Sequence, residues 1–457
     1  MTAPEAERPK APSRRDVLRY AGAAGTVAAG VTVAQAAGWP ASRVDRAAAG
    51  VGGVLDLHIN EGFVPMVDGS LVYLRGFGEK ATTINDPFPS LTISPRIFFA
   101  DGRLVDSRLF PPDAAPPHEG RPEPDSAVAG DPLVYLVKRS YWGSYFPRRT
   151  IVAESGSTIR LRVHNGLKQP HSLLFHGVPG GDSGEIASGA VQDLEFPAPP
   201  PGTYVYSDPG GISVQRTLGL FGVLVVVPQQ DHWRLSELGA EFERQWLWIA
   251  HDIDPVWSRR ALAGETIDPV STPALPRYFT LNDRAGFQSV GVTQDEAINL
   301  ATHEETLVSG SPRRTDVRDF SQAATATTVI TGQLIRLVNA GVVIHQMHFH
   351  GNHVWTLRRD GVDFSRSVGT ISEEGHVLLQ QWEDVVELDP LSRKDIILPL
   401  KPPPDALDEV FAARTVDWHY PMHCHAEPSQ TAGGGLYPGG AVADWVLALP
   451  KSAGGTP

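Results

Sequence analysis

Gly156-Ser-Thr-Ile-Arg-Leu-Arg-Val-His-Asn165 returns later in the chain as Gly332-Gln-Leu-Ile-Arg-Leu-Val-Asn339, a run with strand patterning that ends at an Asn, the second copy read as two residues shorter. Each run is followed by a second matching segment: His171-Ser-Leu-Leu-Phe-His176-Gly177, then His345-Gln-Met-His348-Phe-His350-Gly351, 174 residues further on. A third pair aligns at an offset of 216, Tyr206-Ser-Asp-Pro209 against Met422-His-Cys-His425, with Leu220-Phe221 against Leu436-Tyr437 behind it. Two copies of one β-domain, over 55–230 and 240–457, account for both offsets when the second copy has the longer middle. The Pro-rich run from Pro111 to Pro132 then reads as a surface loop of the first copy.

The rest of the chain agrees with an all-β reading. A length of 457 residues exceeds one core, which stops growing at roughly 250–300 residues. Gly 45 and Pro 39 provide many turns between short runs rich in Val, Ile, Leu and Thr.

Residues 1–50 read as an address and a flexible segment. Ser13-Arg14-Arg15-Asp16-Val17-Leu18-Arg19 has the form of a twin-arginine export motif, ahead of an Ala/Gly-rich apolar stretch from Tyr20 and an Ala34-Gln35-Ala36 cleavage pattern. The stretch is broken by Gly and short of the roughly 20 residues a membrane span needs. An exported chain, periplasmic or extracellular and not integral to the membrane, is expected. Through Gly50 there are seven Lys/Arg against four Asp/Glu, so the formal charge of −13 becomes −16 once they are removed. Such acidity excludes nucleic acid and anionic membranes as natural partners. Cys424 stands alone, so no internal disulfide is possible, and a free thiol outside the cytoplasm has to be buried or ligated.

The chemistry lies in the second copy. On a strand, side chains alternate faces, so His348 and His350 project to one side and His345 to the other. The same rule sends His423 and His425 one way and Cys424 the other. One face thus gathers up to four imidazoles, and the opposite face pairs His345 with Cys424. Imidazole and thiolate donors favour copper or zinc over hard cations. His353, His376 and His419 read as ordinary isolated histidines, and Trp246, Trp248 and His251 as strand core.

With these motifs in view, the chain resembles a two-domain member of the multicopper oxidase family, whose H-P-x-H-x-H-G and H-C-H signatures correspond to His345–Gly351 and His423–His425. The resemblance extends to Phe146–Ile151, Gln215–Gly222 and Trp382–Val386. It implies two cupredoxin-like Greek-key β-sandwich domains and copper as cofactor. It also implies electron entry at a type 1 copper held by His345 and Cys424, with transfer to a dioxygen-reducing cluster held by His348 and by His176, His350, His423 and His425. Two-domain relatives form trimers, which would bring His176 to His348 and His425 of a neighbouring copy.

The chain departs from that plan. One cluster histidine of the first copy is Leu174, two more are Ser207 and Pro209, and the second type 1 histidine is Ser429. His171 keeps a type 1 position, but its cysteine counterpart is Asp208, so it reads as a relic or a structural histidine. Three outcomes are open. One is a reduced copper centre helped by Asp208 or Glu427, and another is a centre that borrows His171, His353 or His419. The third is a fold that has lost catalysis. The expected activity is one-electron oxidation of a phenolic, amine or metal-ion donor by dioxygen, the alternative a non-catalytic copper-binding or scaffold protein of the cell envelope.

Overall fold

The structure, a computed structural model, describes residues 53–78, 81, 84, 150–236, 242, 244–286, 332–363, 381–399 and 418–447, except 69, 284, 352 and 436–438. The export segment, the Pro-rich run and His376 lie outside these residues.

Among the described residues the first half supplies β1 (Leu55–Pro65), β2 (Leu71–Gly78), β3 (Ile151–Glu154), β4 (Thr158–Asn165), β5 (His171–Phe175), β6 (Asp182–Ile186), β7 (Val191–Pro197), β8 (Gly202–Ser207), α1 (Val214–Thr217) and β9 (Phe221–Val227). The second half supplies β10 (Arg244–Ile253), α2 (Pro255–Leu262), β11 (Tyr278–Leu281), β12 (Gly332–Asn339), β13 (His345–Phe349), β14 (Val354–Arg359), β15 (Val362–Asp363) and β16 (Gln381–Glu383), then β17 (Val385–Leu388), β18 (Arg393–Pro399), β19 (Trp418–Cys424) and β20 (Val442–Leu447).

The strands form two all-β sandwiches whose chain crosses between facing sheets in Greek-key fashion. The first pairs β2-β1-β4-β7 with β3-β9-β8-β5-β6; the second pairs β11-β10-β12-β18-β14-β15, with β16 on β14, against β17-β13-β19-β20. The halves repeat each other in register. β1 runs parallel to β4, as β10 does to β12, and both β4 and β12 then pair antiparallel with β7 and β18. One sequence expectation is corrected: β4 and β12 are both eight residues long. Thr158 therefore corresponds to Gly332 at the same offset of 174 as the histidines, and the apparent shortening came from matching Gly156 to Gly332.

Both copies of that strand end at Asn for a physical reason. Asn165 donates from Nδ2 to the carbonyls of Gln169 and Ile186 at 2.8 and 2.9 Å and accepts from Leu167 N–H at 3.0 Å. Asn339 does the same with Val343, Leu388 and Gly341 at 2.8, 2.9 and 2.8 Å. One amide thus satisfies three buried backbone groups in the corner leading to each histidine strand.

β4 alternates, with Ile159, Leu161 and Val163 inward and Arg160 and Arg162 outward in exposed pairs with Glu195 and Asp193. β12 has no such outer face, because its sheet packs on the first sandwich. Arg336, at the place of Arg162, is fully buried there. Its guanidinium donates to Gln245 Oε1 at 2.7 Å and Thr203 Oγ1 at 2.9 Å and lies 3.4 Å from Asp395. β9 is buried along its whole length. Its Leu224 and Val226 pack into the first sandwich. Phe221, Val223, Val225 and Val227 belong to a core with Trp246, Trp248, Leu337 and Ile397 of the second. Trp246, Trp248 and His251 are core, as the sequence led one to expect.

Candidate metal centre

Register explains how the two histidine motifs meet. β13 pairs antiparallel with β19 so that His348 lies opposite His423 and Met347 opposite Cys424. Along β13, His345, Met347 and Phe349 are buried and the residues between them are half-buried. On β19, Met422 and Cys424 are buried and His423 is half-buried, and His425, just past its end, is exposed. The alternation rule therefore separates two groups of donors on opposite faces.

On the outer face four imidazoles cluster. Ring centroids lie 4.5 Å apart for His348 and His350, 5.0 Å for His350 and His423, and 5.5 Å for His348 and His425. His423 lies 5.8 Å from both His348 and His425. His350 Nε2 and His423 Nε2 are 2.9 Å apart. His348 Nδ1 faces the Asp384 carbonyl at 3.2 Å and His423 Nδ1 the Cys424 carbonyl at 3.1 Å. A carbonyl only accepts, so these contacts place the proton on Nδ1 and leave Nε2 as a lone-pair donor, the tautomer a metal requires. Burial, then the charges of neighbouring imidazoles, hold the pKa of His350 below its ordinary value. His423 is lowered as well, by burial first and then by His348 and His425, against the Cys424 carbonyl.

Copper fits this face by its donor chemistry. Imidazole nitrogen is a ligand that copper favours, and His350 Nε2 and His423 Nε2 converge to 2.9 Å, a hydrogen bond between the rings. As the side chains stand, no group of three or more His, Cys, Asp or Glu among the described residues is arranged to hold an ion. Ligation by more than that pair requires ring rotation, which half-buried and exposed side chains permit.

The inner face does not fit a trigonal copper. His345, Cys424 and Ser429 are each 0 % exposed, but only two of them are ligand types. Ser429 donates its hydroxyl to the Ala426 carbonyl at 2.6 Å within the 3-10 turn Glu427–Gln430. His345 Nε2 lies 2.6 Å from Asp252 Oδ1, and Asp252 also accepts the N–H groups of Val342 and Val343 at 2.6 and 2.8 Å. Burial alone would lower the His345 pKa, yet the Asp252 carboxylate and the Cys424 sulfur raise it to about 10. Burial opposes the ionised forms of Asp252 and Cys424, but His345, together with the backbone N–H of Val343 on Asp252 and that of Gln346 on Cys424, holds both below their ordinary values. This is a buried ion pair beside a thiol. Asp252 was not legible as a partner from sequence; a carboxylate just after the apolar run Trp246–Ala250 was the available signal.

The first half shows the same two positions with other residues. His176 Nε2 meets Ser207 Oγ at 2.7 Å, where the second half has His350 against His423. His171 Nδ1 meets Asp208 Oδ2 at 2.6 Å, where the second half has His345 beside Cys424. Burial, then Arg216 and Arg393, lower the pKa of His176. Asp208 is fully engaged, also accepting from Ser172 Oγ and Gly210 N–H, and is no spare ligand. His353 stacks on Trp382 at 5.3 Å. The side chain of His419 lies outside the described residues.

Residues 138–231 match the family model described as multicopper oxidase. The resemblance read from the motifs is thereby found independently, in the half whose metal motifs are degenerate, and the cofactor this family implies is copper. No curated protein matches the chain. Among solved structures, a multicopper oxidase called mgLAC and a blue copper oxidase from Nitrosomonas europaea are each 16 % identical, with 85 % of this chain and 84 % of theirs covered and TM-scores of 0.47. A copper nitrite reductase from Nitrosomonas europaea is 15 % identical, with 87 % and 93 % covered and a TM-score of 0.45. The fold described above rests on its own strands and registers. No helix among the described residues is long and apolar enough to cross a membrane.

Proposed function

We propose that the chain is an exported copper-dependent oxidoreductase of multicopper oxidase type, accepting electrons singly from a phenolic, amine or metal-ion donor with dioxygen as the final acceptor. The observation that carries this reading is the His348, His350, His423 and His425 face, where the Nδ1 contacts of His348 and His423 leave their Nε2 atoms as lone-pair donors and His350 Nε2 stands 2.9 Å from that of His423. Copper bound there would supply the redox chemistry, and the protein would fix its ligands and keep them neutral. Within its own chain His176 is bonded to Ser207. A trimer in which it meets the histidine face of a neighbouring copy belongs to this proposal.

A second reading is favoured by a specific observation: His345 is tied to Asp252 and Ser429 stands where the third type 1 ligand would be. On that reading the chain binds copper, or serves as a scaffold in the cell envelope, without catalysis. Elemental analysis of the copper-loaded protein, with oxygen uptake measured on phenolic, amine and metal-ion donors, separates the two. Bound copper with donor oxidation supports the oxidase. Bound copper with no oxygen uptake on any donor overturns it in favour of storage or delivery, and absence of copper leaves the scaffold. Export is tested by Arg14→Lys with Arg15→Lys, which should retain the protein in the cytoplasm.

A further inference from the structure

Beside the His171–Asp208 pair a cavity of about 550 Å³ opens between β5, β6 and α1 of the first half and the segment Ala261–Ile267 of the second. Its volume lies in the range of small-molecule sites. One wall is apolar, made by Val214, Leu218 and Ile267, which belong to a small core with Trp257. The charge around the cavity is one-sided. Asp182, Glu185, Asp208 and Glu265 line it against Arg75 alone, four carboxylates to one guanidinium, a net of −3 before His171 is counted.

A bulge brings the two carboxylates of β6 to this side. Ser172 and Leu174 are two residues apart on β5 and share a face, yet their partners on β6, Glu185 and Asp182, are three apart. The extra residue falls at Ser183–Gly184, and Gly184 holds a φ of 63°, the left-handed glycine that such a bulge uses. Plain alternation would send Asp182 and Glu185 to opposite faces; the bulge returns both to the same one. Both are exposed and neither is used up. Gly184 N–H occupies only Oδ1 of Asp182, at 2.8 Å, and the Glu185 carboxylate makes no hydrogen bond or ion pair among the described residues.

The other charges are engaged. Asp208 is 2 % exposed and held by His171, Ser172 and Gly210, so it acts through its field and not by contact. Glu265 pairs with Arg260 at 2.9 Å on the exposed rim. Arg75 is buried and donates to Tyr73, Gln215 and Gln169, while Asp182 and Glu185 stand at the open side. A bare metal ion does not suit this arrangement: no three His, Cys, Asp or Glu among the described residues are arranged to hold one, and the cavity has a hydrocarbon wall that an ion would leave unused.

We propose that this cavity binds a small organic cation, an ammonium group on an apolar body, the ammonium donating to Asp182 and Glu185 and the body lying against Val214, Leu218 and Ile267. The site is independent of copper and of the histidine face, so it stands or falls apart from the oxidase reading. Calorimetric titration of the metal-free full chain with benzylammonium tests it against benzyl alcohol, which is neutral, and benzoate, which carries the opposite charge. The expected result is saturable one-site binding of benzylammonium, weaker by about tenfold or more for each of the other two. Asp182→Asn with Glu185→Gln should weaken benzylammonium by about tenfold or more, and Thr266→Trp, at an exposed rim position, should block it. Glu195→Gln, which alters an exposed carboxylate on β7 outside the cavity, should change nothing and so separates the site from the general pull of an acidic chain. No saturable binding to the unaltered chain, equal affinity for the three probes, full affinity in D182N/E185Q or in T266W, or an equal loss in E195Q each overturns the proposal. The comparison of probes needs no variant to fold.

Discussion

His345 Nε2 and Asp252 Oδ1 lie 2.6 Å apart with both side chains closed to solvent. The pair joins β13 to β10, strands of the two facing sheets, and Asp252 further pins the N–H groups of the loop before His345. Replacing Asp252 by Asn leaves a buried imidazole without its counter-charge and should cost about 3–5 kcal/mol, read by denaturant unfolding.

The same pair sets a pH dependence. The folded pKa of His345 is raised to about 10 from 6.5. A raised histidine contributes stability that is complete below its unfolded pKa and is lost as pH rises through the folded one. In metal-free protein His345 should pull the unfolding free energy down between pH 6.5 and 10, against the gain that the lowered Cys424 pKa brings as pH rises toward 9, and the D252N variant should lose most of the downward part. Identical profiles in D252N and the unaltered chain would contradict the ion pair.

On the outer face the sign is opposite. His350 and His423 are held below 6.5, so protons compete with a metal only at lower pH than for free imidazole. Copper loaded at neutral pH should be retained down to below pH 6.5. His350→Ala with His423→Ala should lose it throughout, as measured by elemental analysis after gel filtration.

Ser429→His tests the inner face directly. It would complete the ligand set beside His345 and Cys424, and copper-loaded S429H should show strong visible absorption of a copper thiolate, absent from the copper-loaded unaltered chain measured alongside. The larger side chain enters a fully buried position, so a loss of about 1–3 kcal/mol is expected alongside.

Asn339→Ala removes three hydrogen bonds in the corner before β13. Two carbonyls and one N–H are left unsatisfied, at about 1–3 kcal/mol for the first group lost. Thermal melting should show it, and Asn165→Ala should show the same effect in the first half.

Much of this was legible in the sequence because it depends on short-range periodicity. The 174-residue offset located both histidine strands, and alternation along 345–350 and 423–425 assigned each donor to a face. What escaped was contact made across sheets. Nothing near His345 in sequence points to Asp252, 93 positions earlier, since the pairing depends on how β10 lies against β12. Asp208 was read as a lost cysteine and a spare oxygen ligand. Its engagement with His171 emerges only when β5 and β8 are side by side. The cavity beside them is built from both halves, and no linear pattern encodes a space.

β9 has no outward face, and that decides what can be done with this chain in the laboratory. A fragment stopping after residue 231 would hold every described strand of the first sandwich, yet it would present a bare stripe of Phe221, Val223, Val225 and Val227 to water. Such a stripe on a strand is an invitation to aggregate. The two halves look like separable modules in the linear repeat, but neither should be soluble when expressed alone, and studies of the degenerate half have to be made in the whole protein.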